Sequence, residues 1–342
     1  MMVSDITQVM VVTKNEIIKC VRGKKFMVSL IIVFLVFILI TALQFLTNSW
    51  DSINSMGMVM STYFSTFPMV ITLVVALLSS IAIVSEFEER TALILFTRPI
   101  RRTTIFIGKV LSCAIIEAMM ILAYYIMATA VAAAKASDFS AGDMAASFGI
   151  AILYTVAASG IAFVVSSFFK KGSVCTIITI LLILIITPIV SAVAGNDGGE
   201  NWYMLDQAGN TLYTCVPGYV DMYNEFSNQF VAVVDNAIQI LEGFTDKGLD
   251  PGKDWLQAYM ATAEFQELDP TVQVSVAKMF AFLNLGTDGN LKAMIMVLKM
   301  MTTSSMITPM EYPDVGKEAL VLVVWAFVGY IIAWVKFVRR EF

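Results

Sequence analysis

Residues 26–46 read FMVSLIIVFLVFILITALQFL, a run with no charge and only Ser29, Thr41 and Gln44 as polar side chains. A bilayer core needs about 20 apolar residues per helix, so this run is long enough to cross one. Five further runs have the same character: 58–84 with a bend expected at Pro68, 105–134 with one acid, Glu117, 144–169, 174–193 with Pro188, and 319–338. The composition agrees. Of 342 residues, 58% are apolar and 14% charged, against about 45–50% and about 25% in soluble domains, and the mean hydropathy is +0.79. A soluble globule would expose too much apolar surface, and a disordered chain is excluded. The first run is long, starts late and lacks a small-residue cleavage site after it, so it reads as a span and not as a signal peptide. The expected fold is an all-α polytopic membrane protein, with six transmembrane helices and a helical extracellular domain between spans five and six.

Charge sets the expected orientation. Fifteen of the 22 basic residues, including all seven arginines, lie before span 1, between spans 2 and 3, between spans 4 and 5, or after span 6. The positive-inside rule puts those segments, and both termini, in the cytoplasm of a plasma-membrane protein. Residues 195–318 then lie outside. They carry 17 acids and six lysines, which would repel nucleic acid.

That stretch is too long for a plain loop. Tyr219, Met222, Phe226, Phe230, Val233, Ala237 and Leu241 recur at helical spacing, with Gly243 as a stop. Asp254 is placed to cap a short helix bearing Trp255, Tyr259 and Met260. Asp269-Pro270 reads as an N-cap with proline in the first turn, followed by the stripe Val272, Val276, Met279, Leu283 and a stop at Gly286. A last amphipathic stretch covers 290–301. The expected organisation is a cytoplasmic surface helix over 1–25, spans 1–5 over 26–194, the outer helical domain over 195–318, and span 6 with its tail over 319–342. In the first segment Ile6, Val9, Met10, Thr13 and Ile17 share one side, which suits a helix lying on a membrane surface.

The chemistry offered is sparse. Histidine is absent, and with it the usual general base and the commonest metal ligand. Four scattered cysteines make neither a zinc cage nor a disulfide framework. The methionines between Met294 and Met310 are potential Cu(I) ligands, but methionine is also a flexible core filler, so no metal is expected. Glu117 is the single intramembrane acid and a candidate pathway residue; the alternative is a hydrogen bond to a neighbouring span.

The segment joining spans 2 and 3 is the informative one. It reads SEFEERTALILFTRPIRRTTIFIGK over 85–109. Acids come first, then an apolar stretch, then the extended or turn dipeptide Arg98-Pro99, then Arg101-Arg102. An apolar stretch between charged clusters needs a packing partner, and anionic lipid would repel Glu86, Glu88 and Glu89. A protein partner fits better.

This segment resembles the signature loop of type-2 ABC transporter permeases. Glu86, Glu88, Thr91, Leu93, Leu95, Pro99, Arg101, Gly108 and Lys109 match the pattern; Arg90 stands where the family often has glycine, and the outer segment is longer than is usual there. The resemblance implies a coupling helix within 86–104, with Glu86, Glu88, Glu89, Arg90, Thr91, Leu93, Pro99, Arg101 and Arg102 meeting a cytoplasmic ABC ATPase. Lys170, Lys171, Arg339 and Arg340 are candidate secondary contacts or topology signals alone. The chain has no GxxxxGK[ST] phosphate loop, so ATP and magnesium are expected on a separate ATPase, present in two copies and facing two permease copies, as in a homodimer. This chain itself is then non-catalytic and carries no cofactor. The implied function is export. The alternative is a mechanical relay that drives an extracellular partner docked on the outer domain. A channel or secondary transporter would predict inverted repeats or several intramembrane charges, and neither is evident.

Overall fold

A computed structural model describes residues 5–88, 101–196, 202–246, 260, 263–268, 270–286, 291–303 and 310–339. Every regular element among them is helical. The chain forms two compact units, one of Met1–Tyr219 with Tyr312–Phe342 and one of Val220–Glu311.

The first unit holds six helices long and apolar enough to cross a membrane: Lys24–Leu46, Met56–Glu86, Arg102–Lys135, Ala141–Phe168, Gly172–Ala194 and Val315–Arg339, hereafter spans 1 to 6. An amphipathic N-terminal helix, Asp5–Arg22, precedes them and packs along the start of span 3. It joins span 1 through the single extended residue Gly23. A Cβ there would lie 3.1 Å from the Cys20 carbonyl oxygen, so the elbow favours glycine. Spans 1 and 5 present broad apolar faces outward, including Leu35, Ile38, Ile177 and Ile185. In a bilayer those faces belong against lipid.

Spans 2, 3, 4 and 6 supply the buried centre. Spans 4 and 6 touch backbone to backbone: a Cβ on Gly329 would come within 2.8 Å of the Gly160 carbonyl carbon. Small residues allow such approach in membranes, where dispersion rather than the hydrophobic effect holds helices together. Ser159 and Tyr330 hydrogen-bond across the same contact. Tyr124 of span 3 donates to the Tyr63 carbonyl at 2.5 Å, and Phe67 stacks on Tyr124 with ring centroids 4.2 Å apart.

Two of the spans carry a π turn close to a proline. Span 2 has a π turn at Met60–Phe64 and restarts at Phe67 with Pro68 in its first turn. Span 5 has a π turn at Leu181–Ile186, which ends two residues before Pro188. Proline lacks the N–H that would continue the ladder, and a widened turn accommodates the missing bond. At the end where spans 1 and 3 finish, the Met56 amide donates to Asp138 at 2.6 Å, and Lys135 lies over the Trp50 ring.

Residues 202–219 also belong to this unit. A short helix, Leu205–Thr214, buries Leu205, Ala208 and Leu212, packing on spans 4 and 6. From the sequence no helix is expected here, and the stretch falls in the outer domain. The helix is short, and its buried apolar positions Leu205, Ala208 and Leu212 are too few to stand out as a periodic pattern. Gly209 is the close contact: a Cβ would sit 2.6 Å from the Tyr154 ring.

The second unit comprises helix Pro217–Asp246 from Val220 onward, Ala263–Gln266, Pro270–Gly286 and Leu291–Thr303. Its core holds Phe230, Val233, Val234 and Ala237 against Val272, Val276, Phe280 and Leu298. Phe230, Val233 and Ala237 of one predicted stripe and Val272 and Val276 of the other are in that list. Asn224 closes the unit's ends, donating to the Met310 carbonyl at 3.0 Å and accepting from the Met310 amide at 2.6 Å. The short helix expected after Asp254 falls, apart from Met260, outside the described residues.

Candidate functional site

The span 2–span 3 connection is described up to Glu88 and from Arg101. Of the predicted interface residues, Glu89, Arg90, Thr91, Leu93, Pro99 and Arg340 lie outside the described residues. The two anchors of the connection are described, and they converge on one buried ammonium group.

That group is Lys109, one turn into the buried part of span 3, with its side chain 2% exposed. Its Nζ donates to Glu16 Oε1 of the N-terminal helix and to Glu86 Oε1 at the end of span 2, each at 3.0 Å. Lys19 Nζ donates to the same Glu86 oxygen, also at 3.0 Å. A charge this buried is tolerable only when paired and hydrogen-bonded. The pairing therefore fixes three elements against one another: the N-terminal helix, the end of span 2 and the start of span 3. Gly108 makes the approach possible, because a Cβ there would lie 2.6 Å from Val12 Cγ1. Beside this junction the half-buried Cys20 thiol has its pKa pushed up, chiefly by burial and then by the charges of Glu117 and Glu16.

Span 2 changes character just before it reaches the junction. Its helix tightens to a 3-10 turn at Ser79–Ile81, and a short helix resumes at Val84–Glu88. The amides of Ile83 and Val84 have left the helical ladder, and both donate to Ser166 Oγ of span 4, at 3.1 and 3.2 Å. Ser79 Oγ donates to Glu117 Oε1 at 2.6 Å. Glu117 is fully buried, and its other oxygen has no hydrogen-bond partner among the described residues. The break is thus held by side chains from two other spans. Ile83 also packs with Ile105, Phe106, Phe163 and Phe337, bringing spans 2, 3, 4 and 6 into one cluster.

The remaining predicted residues are distributed around this junction. Glu88 is exposed, with Oε2 so near Gly172 that a Cβ there would come within 2.9 Å of it. Gly172 begins the first helical segment of span 5, so the carboxylate sits at a helix N-terminus, where negative charge is favoured. Arg101 is exposed and occupies the N-cap position of span 3. Arg102 Nη1 donates to the Val338 carbonyl at 2.8 Å, joining the start of span 3 to the end of span 6. Lys170, Lys171 and Arg339 are exposed, and Lys170 and Arg339 line one groove with Lys336.

Sequence reasoning missed Glu16, Lys19, Ser79 and Ser166. The available signal was a lysine just inside an apolar span, which requires a carboxylate from elsewhere in the fold. Among the described residues no group of three or more His, Cys, Asp or Glu side chains is placed to hold a metal ion. A family model described as ABC-2 family transporter protein matches residues 10–342. No curated protein matches the chain.

Proposed function

The chain belongs to the ABC-2 family of transporter proteins, and from that premise we propose that it couples ATP hydrolysis on a separate cytoplasmic ATPase to export of a substrate. Family membership makes it the multi-pass permease subunit of an ABC transporter, a component that works with an ABC ATPase. The finer assignment rests on one observation, the pairing of Lys109 with Glu86 and Glu16. Segment 86–102 is the coupling element. A push on it reaches span 2 through Glu86, span 3 through Lys109, and the N-terminal helix through Glu16. The break at Ser79–Ile83 lets the end of span 2 move without bending the buried helix above it. The termini and this junction face the cytoplasm, where the basic residues cluster. Two copies of the chain serve two ATPases.

A second reading has an observation of its own in its favour. Val220–Glu311 is a compact unit with its own core, and in the relay reading it docks an extracellular partner. One copurification from native membranes addresses both. A cytoplasmic ABC ATPase should accompany the tagged chain and be lost with Glu88→Arg and with Arg101→Glu, two exposed positions whose reversal leaves the buried pairing intact. An ATPase retained by both variants would remove segment 86–102 from the interface. An extracellular protein lost on deleting 220–311 would favour the relay over export.

A further inference from the structure

A cavity of about 250 Å3 opens between the Gly23 elbow, the end of span 2 and the first half of span 3. Lys19, Lys24, Lys25 and Lys109 line it together with one carboxylate, Glu16. Leu78, Ile81, Ala82 and Ile116 add an apolar part to the lining, with Leu78 and Ile116 buried. Lys109 and Lys19 are committed to Glu16 and Glu86. Lys24 and Lys25 have no carboxylate partner among the described residues, and both are exposed at the first turn of span 1. The cavity therefore has two surplus positive charges at its mouth and hydrocarbon in its lining.

The geometry points to a binding site for the phosphate headgroup of an anionic phospholipid. Its phosphate meets Lys24 and Lys25, and the start of its acyl chain lies against Leu78, Ile81 and Ile116. Lysine clusters where a span meets the membrane surface attract anionic lipid. A free phosphate ion or soluble phosphate ester satisfies the lysines but leaves the apolar lining without contacts, so the lipid is the better match. A lipid seated here touches the N-terminal helix and spans 1, 2 and 3 together, and so braces the junction around Lys109. The site is built by this chain alone and does not depend on the ATPase assignment.

Cys20 lines the same cavity and is half-buried, which makes it a reporter. The full-length chain is placed in nanodiscs of phosphatidylcholine, with or without phosphatidylglycerol. The rate of N-ethylmaleimide addition to Cys20 is then read by mass spectrometry of its peptide. Phosphatidylglycerol should slow the reaction about fivefold or more through occupancy at the lysines. In the double variant Lys24→Gln, Lys25→Gln the ratio between the two lipid compositions should return to near one. An equal ratio in parent and variant means a general surface effect and overturns the proposal, as does no slowing in the parent. Inorganic phosphate added to pure phosphatidylcholine discs should not protect Cys20. If it protects as well as phosphatidylglycerol does, the site takes a soluble phosphate and the lipid assignment is overturned.

Discussion

Replacing Lys109 with methionine is expected to lower stability and abolish coupling together. Methionine fills much of the same volume, but Glu16 and Glu86 lose their common partner at 3.0 Å. Stranding a buried charge costs about 3–5 kcal/mol. Glu86 keeps Lys19, and Glu16 is 21% exposed, so the lower end of that range applies. At about 2–4 °C per kcal/mol for a domain of some 200 residues, the melting midpoint in detergent should fall on the order of 10 °C. Adding Glu16→Gln to Lys109→Met should recover much of that loss, because it removes the carboxylate left without a partner, while Glu86 keeps Lys19. ATP hydrolysis by the copurified complex should stay uncoupled in the double variant, since span 3 is no longer tied to the N-terminal helix or to the end of span 2. Recovery of both stability and coupling would show that the pair serves folding alone.

Ser166→Ala should act on the break in span 2. Its hydroxyl is the acceptor for the Ile83 and Val84 amides, and Ser166 is fully buried. Each orphaned buried donor costs about 1–3 kcal/mol. Taking the lower end for both, opening of this segment becomes about 30-fold more frequent. Hydrogen exchange should therefore accelerate by about that factor at Ile83 and Val84 and change little in span 6. Ser80→Ala is the matched control. Ser80 donates to the Ala76 carbonyl and pairs with Thr176, so its loss leaves no backbone N–H unmet. Equal acceleration in both variants would mean that the break tolerates any loss of polar contact, and that Ser166 has no special part in holding it.

The six spans were legible because lipid demands an apolar run in every crossing helix, and no tertiary contact is needed to see one. Their ends were less so. Span 1 begins at Lys24 rather than Phe26, and span 3 at Arg102 rather than Ile105, because long basic side chains continue a helix while keeping their charge at the interface. Pro68 marked one irregularity in span 2. The break at Ser79–Ile83 had no such mark, since the acceptor that stabilises it comes from span 4. Helix Leu205–Thr214 was hidden for a similar reason: it is held by Tyr154 and the surfaces of spans 4 and 6, not by a long periodic pattern of its own. At the site, Glu86 and Lys109 stood out through the resemblance of the 85–109 segment to the permease signature loop. Glu16 did not, because nothing local in an amphipathic helix distinguishes an acid facing solvent from one facing a buried lysine 93 positions away.

We propose segment 86–102 as the place where an ATPase acts on this permease. The most direct measurement places a photo-crosslinking amino acid at Leu93, within the apolar stretch flanked by the two charged clusters. The chain is irradiated in its native membrane, and the adduct is identified by mass spectrometry. A crosslink to a cytoplasmic ABC ATPase is expected, lost when Glu88→Arg is added. A crosslink to lipid or to the permease's own spans, with no ATPase adduct, would contradict it.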